Sequence, residues 1–362
     1  MIIDNIGAFI SSKLDAKLLC EDRENWIKCL KSMDHSLFVP LQYKPSFIEY
    51  QRDYNKDIFE EYQDISMVLY RGGIAVGIWP LCIFCDNGVY RFGSLGMPVM
   101  QPLFAFLKKA DAQRRVIQNI LHALCSCMLE SGLEFESSIS SQIAVMEKGT
   151  GQWQRKWMEE GARCVKTSWW TYVDLGLSNE EIQSRIRRTN KYSIAKGEDD
   201  YNIEIYDSDN GRNLDDVFAE FHRLHRNVSG RETRSQLTWD RQKEAVRENN
   251  DDVGWDFVVF IRDKRTGVLA GCALFCTTPQ TGLYSVAAYD RERFSKPVGH
   301  IVQAAAMDYM RKKGIRWYEI GERVYPGDEN SNLKLCNIGN YKEGFATHFY
   351  PKIVMKMDVC DR

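Results

Sequence analysis

The sequence predicts an α/β (α+β) protein of two domains, each with a mixed central sheet flanked by helices. Its 362 residues exceed the ~250–300 at which one hydrophobic core usually stops growing. Period-two, β-branched segments alternate with amphipathic helical segments. Each half also contains a strand meander, a long helix, a strand, a second helix and a terminal strand. We therefore place the domains at 1–165 and 166–362.

The first half carries its clearest signals between Ser66 and Gly132. β-Branched and aromatic residues punctuated by glycine predict a strand meander from Ser66 to Gly96, with a tight hairpin turn at Gly72-Gly73. A helix follows and ends near Gly132. Its apolar positions recur at helical spacing: Val116, Ile120, Leu121, Leu124 and Met128.

The second half begins with a predicted strand from Trp169 to Leu175, followed by a helix with a capping box of Ser178 and Glu181. Further along, a helix from about Trp239 to Asn249 precedes three strands joined by hairpin turns. A helix from Pro297 to Lys313 and a strand at Trp317 then follow. This order predicts a mixed central sheet flanked by helices.

Composition limits the function. The net charge of −2 offers no overall basic excess for phosphate contacts, so we predict no DNA partner. No segment has the ~18–20 uninterrupted apolar residues of a membrane span, and the N-terminus lacks a basic leader. These features favour a cytoplasmic protein without a transmembrane segment.

Cysteine and histidine patterns do not indicate a metal site. Cys82 and Cys85 form a CxxC in mid-strand, and the eleven cysteines lack framework spacing, which predicts buried thiols in a reducing compartment. His222 and His225 share a helix face but have no third ligand nearby in sequence. We therefore expect no metal.

Candidate chemistry begins at a basic turn before a helix. Arg231 and Arg234 flank Thr233, the helix is predicted to be capped by Thr238, and Asp240 is placed in its first turn. Two guanidiniums can form bidentate hydrogen bonds with a phosphate or carboxylate group. The alternative is a solvated basic turn.

A second group surrounds a predicted strand–loop–helix junction. The strand ends at Tyr289, Asp290 and Arg291, and the helix opens at Pro297, close to Gly299. A helix N-terminus attracts anions through its free N–H groups and dipole. The alternative is a plain β–α junction. Candidate donor-binding residues here are Lys296, Val298, Gly299 and His300.

A third group lies at the end of the strand around Glu319. Alternation places Glu319 on the face opposite to Tyr318, and Glu322 and Arg323 mark the strand end. A carboxylate at such an end is a candidate general base, or else a structural acid paired with arginine. Lys342 and His348 follow within the next helix–strand segment.

These segments together resemble the FemAB-like branch of the GNAT acyltransferase superfamily, found among bacterial surface-polysaccharide and amino-sugar functions. The resemblance covers about Ser178 to His348. Its motifs are GRETRSQLTWDRQ, YSVAAYDRERFSKPVGHIVQAAAMDYM, RWYEIGER and NIGNYKEGFATH, preceded by the basic helix SRIRRTNKYSIAKGE. It implies two tandem GNAT-like domains, with the motifs in the C-terminal one.

The resemblance implies transfer of an acyl group to an amine of an amino-sugar or cell-surface polysaccharide precursor, either a small molecule or lipid-linked. The donor is acyl-CoA such as acetyl-CoA, or aminoacyl-tRNA as in FemAB relatives. CoA-binding loops of the superfamily have the pattern Q/R-x-x-G-x-G/A, whereas this sequence has KPVGH with a single glycine. The loop therefore does not decide between acyl-CoA and aminoacyl-tRNA as the donor. A basic run available for RNA comprises Arg185, Arg187, Arg188 and Lys191. A non-catalytic binding protein on the same scaffold is the third alternative.

Roles follow from motif position and side-chain chemistry. We predict Glu322 or Asp290 as general base, Tyr289 as proton donor to the leaving group, and Glu319 as a further acid of the site. Lys296 faces a donor phosphate. Residues predicted to contact the acceptor are Arg231, Thr233, Arg234, Trp239, Asp240, Arg291, Tyr318, Arg323, Lys342 and His348.

Overall fold

The chain separates into two compact units. This computed structural model describes residues 5–34, 38–133, 135–136, 138–141, 151–210, 213–250, 252–294, 298–329 and 331–357. The first unit comprises Met1–Thr167 and Pro351–Arg362, and the second comprises Ser168–Tyr350. The chain therefore passes between the units within two strands, one near residue 167 and one near residue 350. Our boundary at 165/166 differs from the first of these points by two residues and did not include the return of the C-terminal segment.

The first unit contains helices α1 to α5 and strands β1 to β9. The helices are α1 (Ile6–Leu14), α2 (Arg23–Lys31), α3 (Pro45–Lys56), α4 (Ala110–Glu130) and α5 (Gln152–Glu159). The strands are β1 (Ala16–Leu18), β2 (Glu61–Asp64), β3 (Met67–Arg71), β4 (Ile74–Trp79), β5 (Cys82–Asp86), β6 (Val89–Gly93), β7 (Leu103–Phe104), β8 (Phe135–Glu136) and β9 (Ser138–Ser141).

Eight strands of the first unit form two four-stranded sheets, in the orders β1-β3-β4-β7 and β2-β5-β6-β8, and β9 pairs with residues 353–356 of the C-terminal strand. β6 and β8 run parallel, whereas their neighbours are antiparallel. The β3–β4 hairpin turns at Gly72-Gly73, where both φ angles are positive, as predicted. The core beneath these sheets includes Trp79, Ile120, Leu124, Trp153 and Trp157.

The second unit contains β10 to β16 and α6 to α11. The strands are β10 (Arg163–Asp174), β11 (Tyr201–Tyr206), β12 (Phe257–Asp263), β13 (Leu269–Thr277), β14 (Thr281–Tyr289), β15 (Trp317–Arg323) and β16 (His348–Lys356). The helices are α6 (Asn179–Arg185), α7 (Arg188–Asp200), α8 (Leu214–Ser229), α9 (Gln236–Arg247), α10 (Val298–Lys312) and α11 (Leu333–Glu343).

Strands of the second unit lie in the order β11-β12-β13-β14-β15-β10-β16. All neighbours from β11 to β14 are antiparallel, whereas β14 and β15 are parallel because α10 crosses between them. All nine residues of β13 are buried, which fits its central place. The core combines this sheet with α10, through residues such as Val259, Phe275, Ile301, Ala306 and Ile320.

Helix ends in the second unit follow the sequence signals closely. Ser178 and Glu181 form the predicted capping box of α6. Gly230 ends α8 in the left-handed conformation at φ 70°, and Gly314 follows α10 at φ 75°. These signals were readable because capping depends on residues a few positions apart.

Two sequence predictions for α9 were wrong. The helix begins at Gln236 after Ser235 rather than near Trp239, and Thr238 is not its N-cap, since the Thr238 hydroxyl donates to the Ser235 carbonyl at 2.7 Å. Asp240 is therefore beyond the first turn. The predicted start was late because Leu237, in the first turn, is exposed, and the buried positions of the helix begin only at Thr238 and Trp239.

The mixed helix and sheet arrangement confirms the predicted fold class. The described cysteines carry free thiols, and Cys82 and Cys85 are buried in β5. Among the described residues, no helix is both long and apolar enough to cross a membrane.

Candidate functional site

The sheet of the second unit opens between β14 and β15. The two strands pair in parallel only at Thr281, Gly282 and Leu283, opposite Trp317 to Glu319. β14 continues to Tyr289 along β13, and β15 continues to Arg323 along β10. The edge of β14 that faces β15 is thus not paired with that strand beyond Leu283. We call the space between Tyr284–Tyr289 and Ile320–Arg323 the β14–β15 opening.

Four tyrosines gather at the β14–β15 opening. The hydroxyls of Tyr284 and Tyr289 lie 2.8 Å apart, and the Tyr341 hydroxyl donates to the Gly299 carbonyl at 2.7 Å. Burial raises the pKa of Tyr284 to about 12 and raises the pKa values of Tyr289, Tyr318 and Tyr341 well above the ordinary tyrosine value. The hydroxyls therefore stay protonated at neutral pH and can donate hydrogen bonds or protons.

The start of α10 lies against this cluster. Val298 is buried, and a Cβ at Gly299 would lie 3.0 Å from the Tyr341 hydroxyl, so the glycine permits a close approach. His300 contacts Tyr341 edge to face, with ring centroids 4.9 Å apart. Lys296 and Pro297, predicted at the donor phosphate and helix opening, lie outside the described residues.

One turn into α10, Gln303 is fully buried beneath the tyrosines. Its Oε1 accepts a hydrogen bond from the Tyr318 hydroxyl. Its side chain also hydrogen-bonds the Tyr341 side chain and so moderates the rise in the Tyr341 pKa. Sequence reasoning missed Gln303, although a glutamine inside the apolar row Ile301, Val302, Ala306 and Met310 was a readable signal.

Asp290 and Arg291 are adjacent in the loop after β14, but their side chains have different surroundings. The Asp290 carboxylate accepts a hydrogen bond from the Arg293 backbone N–H at 3.0 Å, so it stabilises the turn. Arg291 is exposed, and its guanidinium lies close enough to Tyr284 and Tyr341 to moderate the rise in their pKa values. Arg291 thus provides a positive charge beside the tyrosine hydroxyls, where an anionic group of a ligand would be attracted.

A second cluster, of opposite charges, lies over β15. The Lys342 ammonium would be 2.5 Å from a Cβ at Gly321, whose φ of +125° suits glycine. Burial lowers the pKa of Lys342, and the nearby Glu319 and Glu322 oppose that effect. Glu319 is buried and hydrogen-bonded to the Tyr172 hydroxyl, whose pKa burial raises. Glu322, only half-buried, is therefore the more accessible carboxylate.

Residues of this cluster are sequence neighbours of two of the tyrosines. Tyr318 precedes Glu319 on β15, and Tyr341 precedes Lys342 on α11. Arg323 fixes α11 to β15, because its Nε donates to the Glu343 carboxylate at 2.6 Å and its Nη1 donates to the Cys336 carbonyl at 3.4 Å. Arg323 is engaged in holding the fold around the opening.

His348 lies at the start of β16 in an aromatic group. Its Nδ1 lies 2.8 Å from the Thr347 hydroxyl, and its ring contacts Trp317 and Tyr350. Burial lowers its pKa. These contacts are those of a packed, neutral imidazole.

The predicted basic turn belongs to a separate group formed by α8 and α9. Trp239 is 2% exposed and lies against Phe221, His222 and His225, with ring centroids 5.3, 4.9 and 5.4 Å away. The Arg234 guanidinium lies over the indole at 5.2 Å. The Thr233 hydroxyl and the Trp239 Nε1 are buried without a hydrogen-bond partner among the described residues.

Charged groups around Trp239 are mostly paired with one another. His222 Nε2 lies 2.8 Å from a Glu232 carboxylate oxygen, and Lys243 contacts both Asp215 at 2.8 Å and Asp240 at 3.1 Å. A cleft of about 310 Å³ runs between the two helices beside these residues. Arg231 is exposed at the turn. His222 was considered only as a metal ligand, and its partner Glu232 was missed because the pair is ten residues apart.

Within the described part of the chain, no group of three or more His, Cys, Asp or Glu side chains is arranged to bind a metal ion.

Solved structures share this architecture. FemX matches with a TM-score of 0.64 at 11% identity, over 93% of this chain and 96% of FemX. The C-terminal domain of an Agrobacterium fabrum protein assigned as lysylphosphatidylglycerol synthetase matches with a TM-score of 0.54 at 12% identity, over 94% of this chain and 93% of that domain. The chain has a FemAB-like GNAT-superfamily fold. The resemblance seen in the sequence is thereby confirmed as a fold.

L-PGS from Bacillus licheniformis also matches, with a TM-score of 0.53 at 11% identity, over 85% of each chain. No protein-family model matches the sequence, and no curated protein matches it. The likeness therefore rests on the path of the backbone and concerns the fold alone.

Proposed function

We propose that this protein is an N-acyltransferase that moves an acyl group from acyl-CoA, such as acetyl-CoA, to an amine of an amino-sugar or cell-surface polysaccharide precursor in the cytoplasm. The β14–β15 opening is the observation that carries the proposal. In this opening, the part of β14 that is not paired with β15 lies beside the tyrosine hydroxyls and the start of α10.

The unpaired edge of β14 suits an amide-containing donor. Backbone N–H and C=O groups of a strand edge form hydrogen bonds with any extended chain that carries amides. The pantetheine arm of CoA is such a chain, and its thioester end would enter between the diverging strands. The start of α10 would then face the donor's phosphates, as Val298, Gly299 and His300 were predicted to do.

Proton transfer has candidate groups on both sides of the opening. An attacking amine must lose a proton, and Glu322 is the accessible carboxylate of the β15 cluster. The leaving thiolate must gain a proton, and the buried, protonated Tyr289 hydroxyl can supply it. We assign the base to Glu322 rather than Asp290, because the Asp290 carboxylate holds the turn after β14.

An aminoacyl-tRNA donor is the second candidate. FemX and the lysylphosphatidylglycerol synthetases share the fold at TM-scores above 0.5, and the latter are named for attaching lysine to a lipid. Arg188 is exposed at the start of α7, and the neighbouring Arg185 and Lys191 add positive charge. A lipid-linked acceptor would accompany this alternative.

Purified full-length protein, incubated separately with acetyl-CoA, longer acyl-CoAs and aminoacyl-tRNA, tests these alternatives. Free and nucleotide-linked amino sugars serve as acceptors, and mass spectrometry detects the acylated amine. Transfer from acyl-CoA supports the first proposal, and transfer from tRNA alone supports the second. Binding of a sugar nucleotide without transfer from any donor indicates a non-catalytic binding protein.

Glu322→Gln tests the assigned base within the same assay. We expect turnover to fall about 10²–10⁴-fold, because the amine loses its proton acceptor. Glu292→Gln is the matched control, since Glu292 is exposed in the loop after β14 and should be neutral. Unchanged turnover of Glu322→Gln across pH would remove Glu322 as the base.

A further inference from the structure

The cleft between α8 and α9 lies outside the β14–β15 opening. Its volume of about 310 Å³ is at the lower end of the ~300–1,000 Å³ usual for ligand sites, so it suits one small chemical group. Three apolar residues, Phe218, Ala219 and Trp239, line it together with charged side chains from both helices. The charges are distributed unevenly along the cleft, and this decides what it can bind.

The charges at one end of the cleft neutralise one another. Lys243 lies 2.8 Å from an Asp215 carboxylate oxygen and 3.1 Å from an Asp240 carboxylate oxygen. Arg247 contacts the other Asp215 oxygen, also at 2.8 Å. Two carboxylates and two cations therefore compensate each other at the end of the cleft where α8 begins.

The opposite end of the cleft is basic. Residues 222–235 contain four arginines and one glutamate, a net charge of +3 with histidine counted as neutral. The glutamate, Glu232, lies 2.8 Å from His222 and 3.6 Å from Arg226. Arg223 lines the cleft and makes no ion pair with any residue that the structure describes. Positive charge at this end is therefore left uncompensated.

The two ends are far enough apart to orient a ligand. Asp215 and Arg223 are eight residues apart on α8, which corresponds to about 12 Å along the helix axis at ~1.5 Å per residue. A ligand with one anionic end would therefore lie in the cleft with that end at Arg223. α8 also packs against β14, so the cleft lies within about one helix diameter, ~10–12 Å, of a strand of the opening.

We propose that the basic end of the α8–α9 cleft binds a phosphate or carboxylate group of the sugar acceptor through Arg223 and Arg226. The inference rests on the proposed acyl transfer to an amino sugar. Guanidiniums bind either anion through charge-assisted hydrogen bonds, which are often bidentate. The anion is held about one helix diameter from β14, so the acceptor is an extended molecule with its anion remote from the reacting amine.

RNA matches this cleft less well than a sugar-borne anion does. The carboxylates of Asp215, Asp240 and Glu232 adjoin the basic side chains and would repel the successive phosphates of a polyanion. The small volume likewise accommodates a single anionic group with part of a sugar ring.

Calorimetry with full-length protein and no acyl donor tests the binding. The probes are UDP-glucosamine, glucosamine 1-phosphate, glucosaminuronic acid and glucosamine. We expect a variant with both Arg223→Gln and Arg226→Gln to bind the preferred anionic probe about tenfold more weakly, while binding of glucosamine is unchanged. Tighter wild-type binding of a phosphate probe or of the uronic acid identifies which anion the cleft takes.

Two single variants separate binding from folding. Arg223→Gln should keep the wild-type melting temperature, because Arg223 is exposed and has no ion pair among the described residues. Arg223→Lys keeps the charge but loses the bidentate geometry, so its affinity should lie between those of Arg223→Gln and the wild type. Arg265→Gln, in the exposed turn between β12 and β13, is the matched control and should bind every probe as the wild type does.

Steady-state kinetics then connect the cleft to transfer. In the double variant, the KM of an anionic acceptor should rise about tenfold, whereas kcat and the donor KM stay unchanged, as expected when uniform binding is lost.

Several results would overturn the proposal. Wild-type protein that binds none of the probes, or a folded double variant with unchanged affinity, excludes the anion site. An equal loss of glucosamine binding shows a general structural effect, and tighter binding of a short RNA than of any sugar probe assigns the basic end to RNA. If the double variant loses anion binding but wild-type protein transfers no acyl group from any donor, the proposed function fails and the anion site stands.

Discussion

The β14–β15 opening and the α8–α9 region both collect polar and aromatic residues, yet they satisfy them in opposite ways. Around Trp239 the charged groups pair locally, as His222 does with Glu232 and Lys243 with Asp215 and Asp240. In the opening, neutral hydroxyls bond to one another, to the Gly299 carbonyl and to the Gln303 amide. The first arrangement is held by ion pairs near the surface, whereas the second is held by neutral hydrogen bonds between side chains of low exposure.

This difference indicates that a high density of charged residues is a weaker sign of chemistry than protonated hydroxyls gathered beside an unpaired strand edge. Surface ion pairs contribute little energy and arise easily among arginines, lysines and acids. Buried hydroxyls with raised pKa values are costly to assemble and concentrate where function requires them. We therefore propose that the reaction takes place at the opening and that the α8–α9 region holds the acceptor.

Tyr289→Phe should lower the rate of transfer more than any other variant in this comparison. An unchanged rate would contradict the proposal that the reaction takes place at the β14–β15 opening. Loss of the proton donor should lower kcat about 10²–10⁴-fold. Because burial raises the pKa of Tyr289 well above its ordinary value, the hydroxyl stays protonated to high pH. The wild-type rate should therefore show no loss from its deprotonation near pH 10. Steady-state rates from pH 6 to 10 measure both effects.

Tyr192→Phe is the control for this variant, because Tyr192 is 68% exposed on α7. It should behave as wild type. Equal losses in the two variants would show that tyrosine hydroxyls matter in general rather than at the opening.

Arg231→Ala should have a smaller effect and sharpens the assignment of the α8–α9 region. Arg231 is exposed at the turn after α8, so its removal should leave the fold intact. If it binds an anionic group of the acceptor, the acceptor KM should rise about tenfold with kcat nearly unchanged, as expected for uniform binding. Initial rates at varied acceptor concentration measure this split.

Arg265→Ala, in the exposed turn between β12 and β13, controls for loss of a surface charge. If Arg231→Ala changes the melting temperature but not the acceptor KM, the basic turn has a structural role and does not bind the acceptor.

Much of the fold could be predicted because its signals are local. The capping box at Ser178, the glycine turn at Gly72-Gly73 and the glycine after α10 each depend on neighbouring residues. The start of α9 was misplaced because its first residues, Gln236 and Leu237, are exposed and add nothing to the buried face of the helix. The second sheet of the first unit depends on long-range pairing, which spacing alone cannot specify.

The candidate site was likewise only partly predictable from the sequence. Tyr289, Glu319 and Glu322 were selected at strand ends, where alternation and punctuation are visible in the sequence. Gln303, Tyr284 and Tyr341 were missed because they reach the opening from three different elements. Only the divergence of two parallel strands brings these residues together, and no local pattern encodes it.

Hydrogen–deuterium exchange with and without donor tests most directly whether the β14–β15 opening binds the acyl donor. The account predicts that saturating acetyl-CoA, or aminoacyl-tRNA if that is the active donor, slows exchange of backbone amides between Tyr284 and Tyr289. Amides of α8 and α9 should keep their exchange rates until the acceptor is added. Donor-induced protection confined to α8 and α9, with β14 unchanged, would contradict the account.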